Sequence, residues 1–177
     1  YNKILSAALD EGQNGGGHEK KELLSVVFAG DAYLGSDYMP LVQDRLAFYQ
    51  KISSATSKKA LFEIKEEVVD RFGGFSNKEE NFFILSEVQC GLYPHPFTRC
   101  VIDSSSTVFT LSSLPSGLGG GLFFQNMERV FSSQPIPYKI SRTQRGFIEI
   151  SFSTKTLSGG LLFARKFHRL FSRVMSG

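Results

Sequence analysis

The chain has 177 residues, of which 41% are apolar and 21% charged, and its seventeen Phe and absent Trp accompany a formal net charge of +3. These fractions are ordinary for a globular protein and exclude wholesale disorder, and at about 100 to 200 residues per domain they allow one core with an attached segment. No apolar run approaches the ~18 residues of a membrane span, and the first residues lack the basic start and apolar middle of a signal peptide, so a cytoplasmic chain without membrane contact is expected, cut from something longer because it begins at Tyr1 rather than Met.

In chain order, Ile4, Leu5, Ala8 and Leu9 fall at helical spacing, and "EGQNGGGHEKK" then reads as a flexible linker. A boundary near residues 12–22 is therefore expected, with residues 1–22 as a closing helix plus linker and residues 23–177 as the domain proper. The β-branched run from Leu23 to Phe28 predicts a strand bounded by Gly30 and Asp31.

Three helices are predicted next, making a helical part over residues 38–91. Pro40 suits a first turn because its missing amide hydrogen is no loss there, and Val42, Leu46, Tyr49 and Ile52 form one apolar side. A second helix begins at Ser57, with Leu61, Ile64, Val68 and Phe72 on one face and Glu63, Glu67 and Asp70 on the opposite one; Gly73 is the expected left-handed stop. "SNKE" announces the third, with Ser76 and Glu79 as a capping box, an end near Gln89 and Gly91 as its stop.

From residue 97 to 177 the pattern changes to hairpin, helix, hairpin, helix. "RCVIDSSSTVFTLSS" and "PYKISRTQRGFIEISFST" are each two β-rich runs around a turn, and each is followed by a glycine-flanked helix, near 120–132 and 158–175. The expected fold class is α+β: a three-helix N-terminal part, then two β-hairpin-helix units forming an antiparallel sheet covered by helices.

Catalytic motifs are missing. "GLGGGLFF" at 117–124 lacks the Gly-Lys-Ser/Thr ending of a phosphate loop, "DRFGG" has an arginine inside what would be a kinase Asp-Phe-Gly, and neither a G-x-S-x-G elbow nor an H-E-x-x-H pair is present. Cys90 and Cys100 are too few for a disulfide scaffold and read as free thiols, while His18, His95 and His168 lie far apart without metal-ligand spacing.

Charge is spread unevenly. Residues 1–90 carry ten Lys/Arg against fourteen Asp/Glu, a net of −4, and residues 91–177 carry ten against three, a net of +7. The acidic stripe Glu63, Glu67 and Asp70 has two readings: a solvated helix face, or a docking face for an arginine-bearing partner. The last helix likewise reads as a core-facing helix with a basic outside or, through Arg165, Lys166, Arg169 and Arg173, as a nucleic-acid contact.

One stretch also carries a family resemblance. Asp37, Tyr38, Met39 and Pro40, then Arg45, Leu46 and Tyr49, then Asp70, Arg71, Phe72 and Gly73 stand in the order and spacing of the C-terminal domain of bacterial transcription-repair coupling factors. The chain resembles that family over about fifty residues, departing from it where Phe75 and Ser76 replace Leu-Pro after the glycine; the Ser76 cap then takes the proline's helix-starting role. The resemblance implies a non-catalytic regulatory domain of an ATP-driven DNA translocase that displaces stalled RNA polymerase and recruits UvrA. It further implies that Glu67 and Asp70, with Glu63 beside them, contact and mask the N-terminal UvrA-binding module. No cofactor is expected in this fragment, since ATP and magnesium would belong to motor domains upstream.

Overall fold

The computed structural model describes residues 24–177, and the helix and linker expected over residues 1–22 lie outside the described residues. Five strands and five helices follow one another as β1 (Ser25–Phe28), α1 (Val42–Ser54), α2 (Lys58–Phe72), α3 (Asn77–Leu92), β2 (Phe97–Ile102), β3 (Thr107–Leu111), α4 (Gly120–Ser132), β4 (Tyr138–Arg142), β5 (Ile148–Phe152) and α5 (Leu157–Ser176). The class is α+β, as expected.

The sheet differs in one respect from the antiparallel one expected. Its order is β1-β2-β3-β5-β4, with both hairpins antiparallel, but β1 joins the edge in parallel to β2, pairing Ser25 with Arg99 and Phe28 with Ile102. The sheet is therefore mixed. A parallel partner needs a long crossover, and α1, α2 and α3 together supply it.

Side-chain alternation sets which face is covered. Cys100, Phe109 and Ile150 sit in register and are all fully buried, while their neighbours Val101, Val108 and Ser151 on the other face are partly exposed. Helix α5 lies against β2 and β3 on the buried face and is flanked by α3 and α4. Phenylalanine fills the layer between them: Phe109 stacks on Phe167 with ring centroids 3.7 Å apart, Phe97 and Phe152 meet these rings edge-on, and Phe171 stacks on Phe167 at 5.9 Å. Each such ring contributes about 1.5–3 kcal/mol by leaving water, so the absence of Trp costs the core nothing in apolar area.

Helix details follow the sequence with three corrections. Of the apolar side expected for α1, Tyr49 and Ile52 are buried and Leu46 partly so, but Val42 is 58% exposed, and Phe48 completes the buried side in its place. Pro40 precedes the first turn rather than entering it, because Leu41 is the N-cap. Gly91 does not stop α3; the helix runs through it to Leu92, and a Cβ there would stand 3.0 Å from that of His168. That glycine is a close-approach residue between α3 and α5.

Candidate protein-docking face

Helix α2 is held by both its ends. The hydroxyl of Ser57 accepts from the amide of Ala60 at 3.1 Å, and at the far end Gly73 takes φ +89° and ψ −170°, a region open only to glycine and different from the left-handed helical stop expected. The next helix begins with the capping box read from the sequence, Glu79 accepting from the amide of Ser76 at 3.1 Å.

The motif residues converge on this corner. The guanidinium of Arg45 donates to the carbonyls of Met39 and Pro40 at 2.6 and 3.1 Å, and the hydroxyl of Tyr49 accepts from the amide of Leu34 at 2.9 Å. Leu46 is partly buried on the same helix. Asp37 pairs with Lys78 at 2.6 Å, a hydrogen bond that holds its carboxyl below the usual carboxylate range. Phe72 packs against Phe48 and Tyr38 with centroids 6.1 and 6.0 Å away, and the Arg71 guanidinium covers the Phe48 and Phe72 rings at 5.3 and 5.0 Å while pairing with Asp44 at 3.3 Å. The contacts of Arg45, Tyr49 and Asp37 brace the turn before α1 against α1 and α3, and those of Phe72 and Arg71 fix the position and roll of α2 against α1.

That orientation separates the acids of α2. Glu67 is bound by Lys51 at 2.9 Å and neighboured by Arg71 at 3.8 Å; Glu63 lies 3.9 Å from Lys59 in an exposed i,i+4 pair. Asp70 and Glu66 are exposed and form no ion pair with a described residue. Beside them, Phe62 and Val69 are 59% and 39% exposed.

Glu66, Asp70, Phe62 and Val69 line a groove of about 740 Å³ between α2, α3 and the middle of α5 at Arg165. Glu66, Glu67, Asp70 and Glu87 supply its carboxylates, with Leu61, Phe62, Val69 and Phe83 as apolar lining. Glu63 does not line it. At the rim Arg165 pairs with Glu87 at 3.2 Å, so this member of the basic set is turned toward α3 rather than left free along α5. Lys166, Arg169 and Arg173 are exposed on the outer side of α5.

Six of the groove's residues escaped the sequence reading: Phe62, Lys65, Glu66 and Val69 of α2 and Phe83 and Glu87 of α3. Glu66 stands one step from the stripe, and Phe62 and Val69 fall outside the apolar face of Leu61, Ile64, Val68 and Phe72; large apolar groups on the charged side of a helix were the available signal. Chemically the groove offers several acceptors around a partly apolar floor, which suits basic side chains with apolar neighbours. No group of three or more metal-ligating side chains occurs among the described residues, and no helix among them is long and apolar enough to cross a membrane. Both cysteines are free; Cys100 is buried, which pushes its thiol far above the ordinary range, so it is inert packing.

Comparison with known proteins bears on this corner directly. Residues 28–114 match the model of the TRCF domain, which spans every motif residue and the whole of α2. A transcription-repair-coupling factor of Haemophilus influenzae is 32% identical over 110 residues, covering 60% of this chain and 9% of that protein, and one of Escherichia coli is 36% identical over 77 residues, covering 41% and 7%. The chain thus spans under a tenth of the length of these curated relatives. The crystal structure of a C-terminal domain of transcription-repair coupling factor has the same fold, with a TM-score of 0.69 at 20% identity over 86% of this chain and 94% of that one.

Proposed function

Because the chain belongs to the transcription-repair coupling factor family, with its TRCF domain at residues 28–114, we propose that it is that family's non-catalytic C-terminal regulatory domain and acts as a releasable clamp. In this reading the groove face of α2 covers the N-terminal UvrA-binding module of a DNA translocase that removes stalled RNA polymerase and recruits excision repair. The observation that carries it is the pairing of the unengaged carboxylates Glu66 and Asp70 with exposed Phe62 and Val69 along one groove.

The clamp's energetics follow from exposure. Rim ion pairs contribute about 0.2–1 kcal/mol each and are screened by salt, so such a contact closes by many weak terms and opens without unfolding. Glu67 enters with a handicap, since a partner's arginine must compete with Lys51 for the same carboxylate. Asp70 and Glu66 carry no such cost.

The test is made in the full-length protein. Glu66→Lys together with Asp70→Lys unmasks UvrA binding while the melting transition of the domain is retained. UvrA affinity unchanged by the double variant, with an intact melt, overturns the reading.

A further inference from the structure

Helix α5 buries Phe167, Leu170, Phe171 and Val174 and turns Lys166, Arg169, Ser172 and Arg173 outward. Its twenty residues include no acid. Arg165 is satisfied by Glu87, but Lys166, Arg169 and Arg173 form no ion pair with a described residue. On helix α2, by contrast, exposed cations have acids at i,i+4, Lys59 with Glu63 and Arg71 with Glu67. On α5 the i,i+4 neighbours are Arg165 with Arg169 and Arg169 with Arg173, which repel by a few tenths of a kcal/mol each. Arg173 has a local reason to be there, the negative end of the helix. Lys166 and Arg169 stand mid-helix and have none.

A second element adds charge of the same sign. The N-terminal end of α2, which has no acid in its first turn, meets α5 at His168, where the Lys58 ammonium donates to Nε2 at 2.9 Å while Nδ1 donates to the Arg165 carbonyl at 3.1 Å. That tautomer is the one the network requires. Lys58, Arg165 and Arg169 thus surround a neutral imidazole, with Glu87 as the neighbouring acid and the Cys90 thiol of α3 close by.

We propose that the outer face of α5 binds the phosphate backbone of duplex DNA through Lys166, Arg169 and Arg173, with Lys58 at its flank. The three span about 10 Å of helix at 1.5 Å per residue, against a duplex that presents one charge per about 1.7 Å of its axis. The face has the Ser172 hydroxyl at its margin, a single exposed aliphatic side chain, Leu162, toward its N-terminal end and no exposed aromatic ring on α5, so it has no platform on which single-stranded bases stack and little apolar surface to enter a bilayer. Binding of this kind is independent of sequence. None of Lys166, Arg169 and Arg173 lines the groove of α2, so substituting them tests this binding separately from the clamp.

The experiment is anisotropy of a labelled duplex of about 20 base pairs titrated with the 177-residue chain at about 30 and 150 mM salt, with phosphatidylserine vesicles in a parallel arm. Three phosphate contacts predict a log–log salt slope near −3 and a loss of roughly 50- to 100-fold between the two salts. In the triple reversal Lys166→Glu, Arg169→Glu and Arg173→Glu the slope collapses toward zero, while Lys139→Glu on the distant β4 edge changes neither slope nor affinity. Should the triple variant not melt cooperatively, Lys166→Gln with Arg169→Gln replaces it and lowers the slope by about 2. Absence of duplex binding at the lower salt, equal binding by the variants, or binding to vesicles but not to the duplex overturns the proposal.

Discussion

The phenol of Tyr38 donates to the carbonyl oxygen of Gly73 at 2.5 Å, joining the turn before α1 to the end of α2 across 35 positions of chain. The same ring touches Phe72 and Phe75, with centroids 6.0 and 5.7 Å away. The two ends of the family motif are thereby one structural unit, and burial raises the phenol above its ordinary range, which keeps it a donor. Tyr38→Phe retains the ring contacts and removes the bond, so a loss of about 1 kcal/mol is expected, read as a lower urea midpoint at unchanged slope. Tyr38→Ala removes both and costs at least twice that.

Glu79 is fully buried and serves two loops at once: Oε2 accepts from Ser76 and Oε1 accepts from the amide of Gly35 at 3.3 Å. Glu79→Ala strips a helix cap and strands the Gly35 donor, for an expected loss of about 2–4 kcal/mol. Glu79→Gln keeps an acceptor oxygen and loses less. Thermal melting of the two variants side by side checks the order.

Two glycines at the starts of α4 and α5 predict opposite signs. A Cβ at Gly160 would stand 2.8 Å from the Thr107 hydroxyl and 3.0 Å from Ile102, where α5 meets the sheet, so Gly160→Ala destabilises by about 1–3 kcal/mol. A Cβ at Gly121 meets nothing within 4 Å, and Gly121→Ala in the first turn of α4 stabilises by about 0.5–1 kcal/mol through helix propensity. Chemical denaturation that gave both the same sign would contradict the packing described.

Burial, reinforced by the Lys58 cation, pulls the His168 imidazole below its ordinary 6.5, and burial does the same to His95. The unfolded chain then takes up a proton before the folded one, so the stabilisation is complete above about pH 6.5 and declines as pH falls toward the lowered folded values. The window lies above that of Asp37 and Asp103, whose carboxyls are held low by Lys78 and by the Ser105 amide. Urea midpoints between about pH 7.5 and 5.5 should fall in the parent, and should fall less in His168→Gln and least in the variant lacking both imidazoles.

Much of the fold was written locally. Ser57, Ser76 and Glu79 announce their caps, the two hairpins bracket their turns, and the 3.6-residue spacing of Leu61 and Val68, like that of Phe167 and Phe171, marks the buried faces, because each signal depends on residues within a turn or two of one another. The same locality explains the failures. Gly91 carries the mark of a helix end, yet it is retained within α3 because α5 passes against it, a fact supplied by His168 seventy-odd positions away.

The sequence alone determined the α+β class, the family motif, and an acidic side to α2 with a basic side to α5. Only the tertiary structure decided which charges are spoken for. Glu67 is met by Lys51 from α1 and Arg165 by Glu87 from α3, whereas Asp70, Glu66, Lys166 and Arg169 pair with no described residue. Helical period shows which side of a helix faces outward; what stands opposite it depends on how sequence-distant helices pack, and that neighbour decides whether a carboxylate or guanidinium is free to bind anything else.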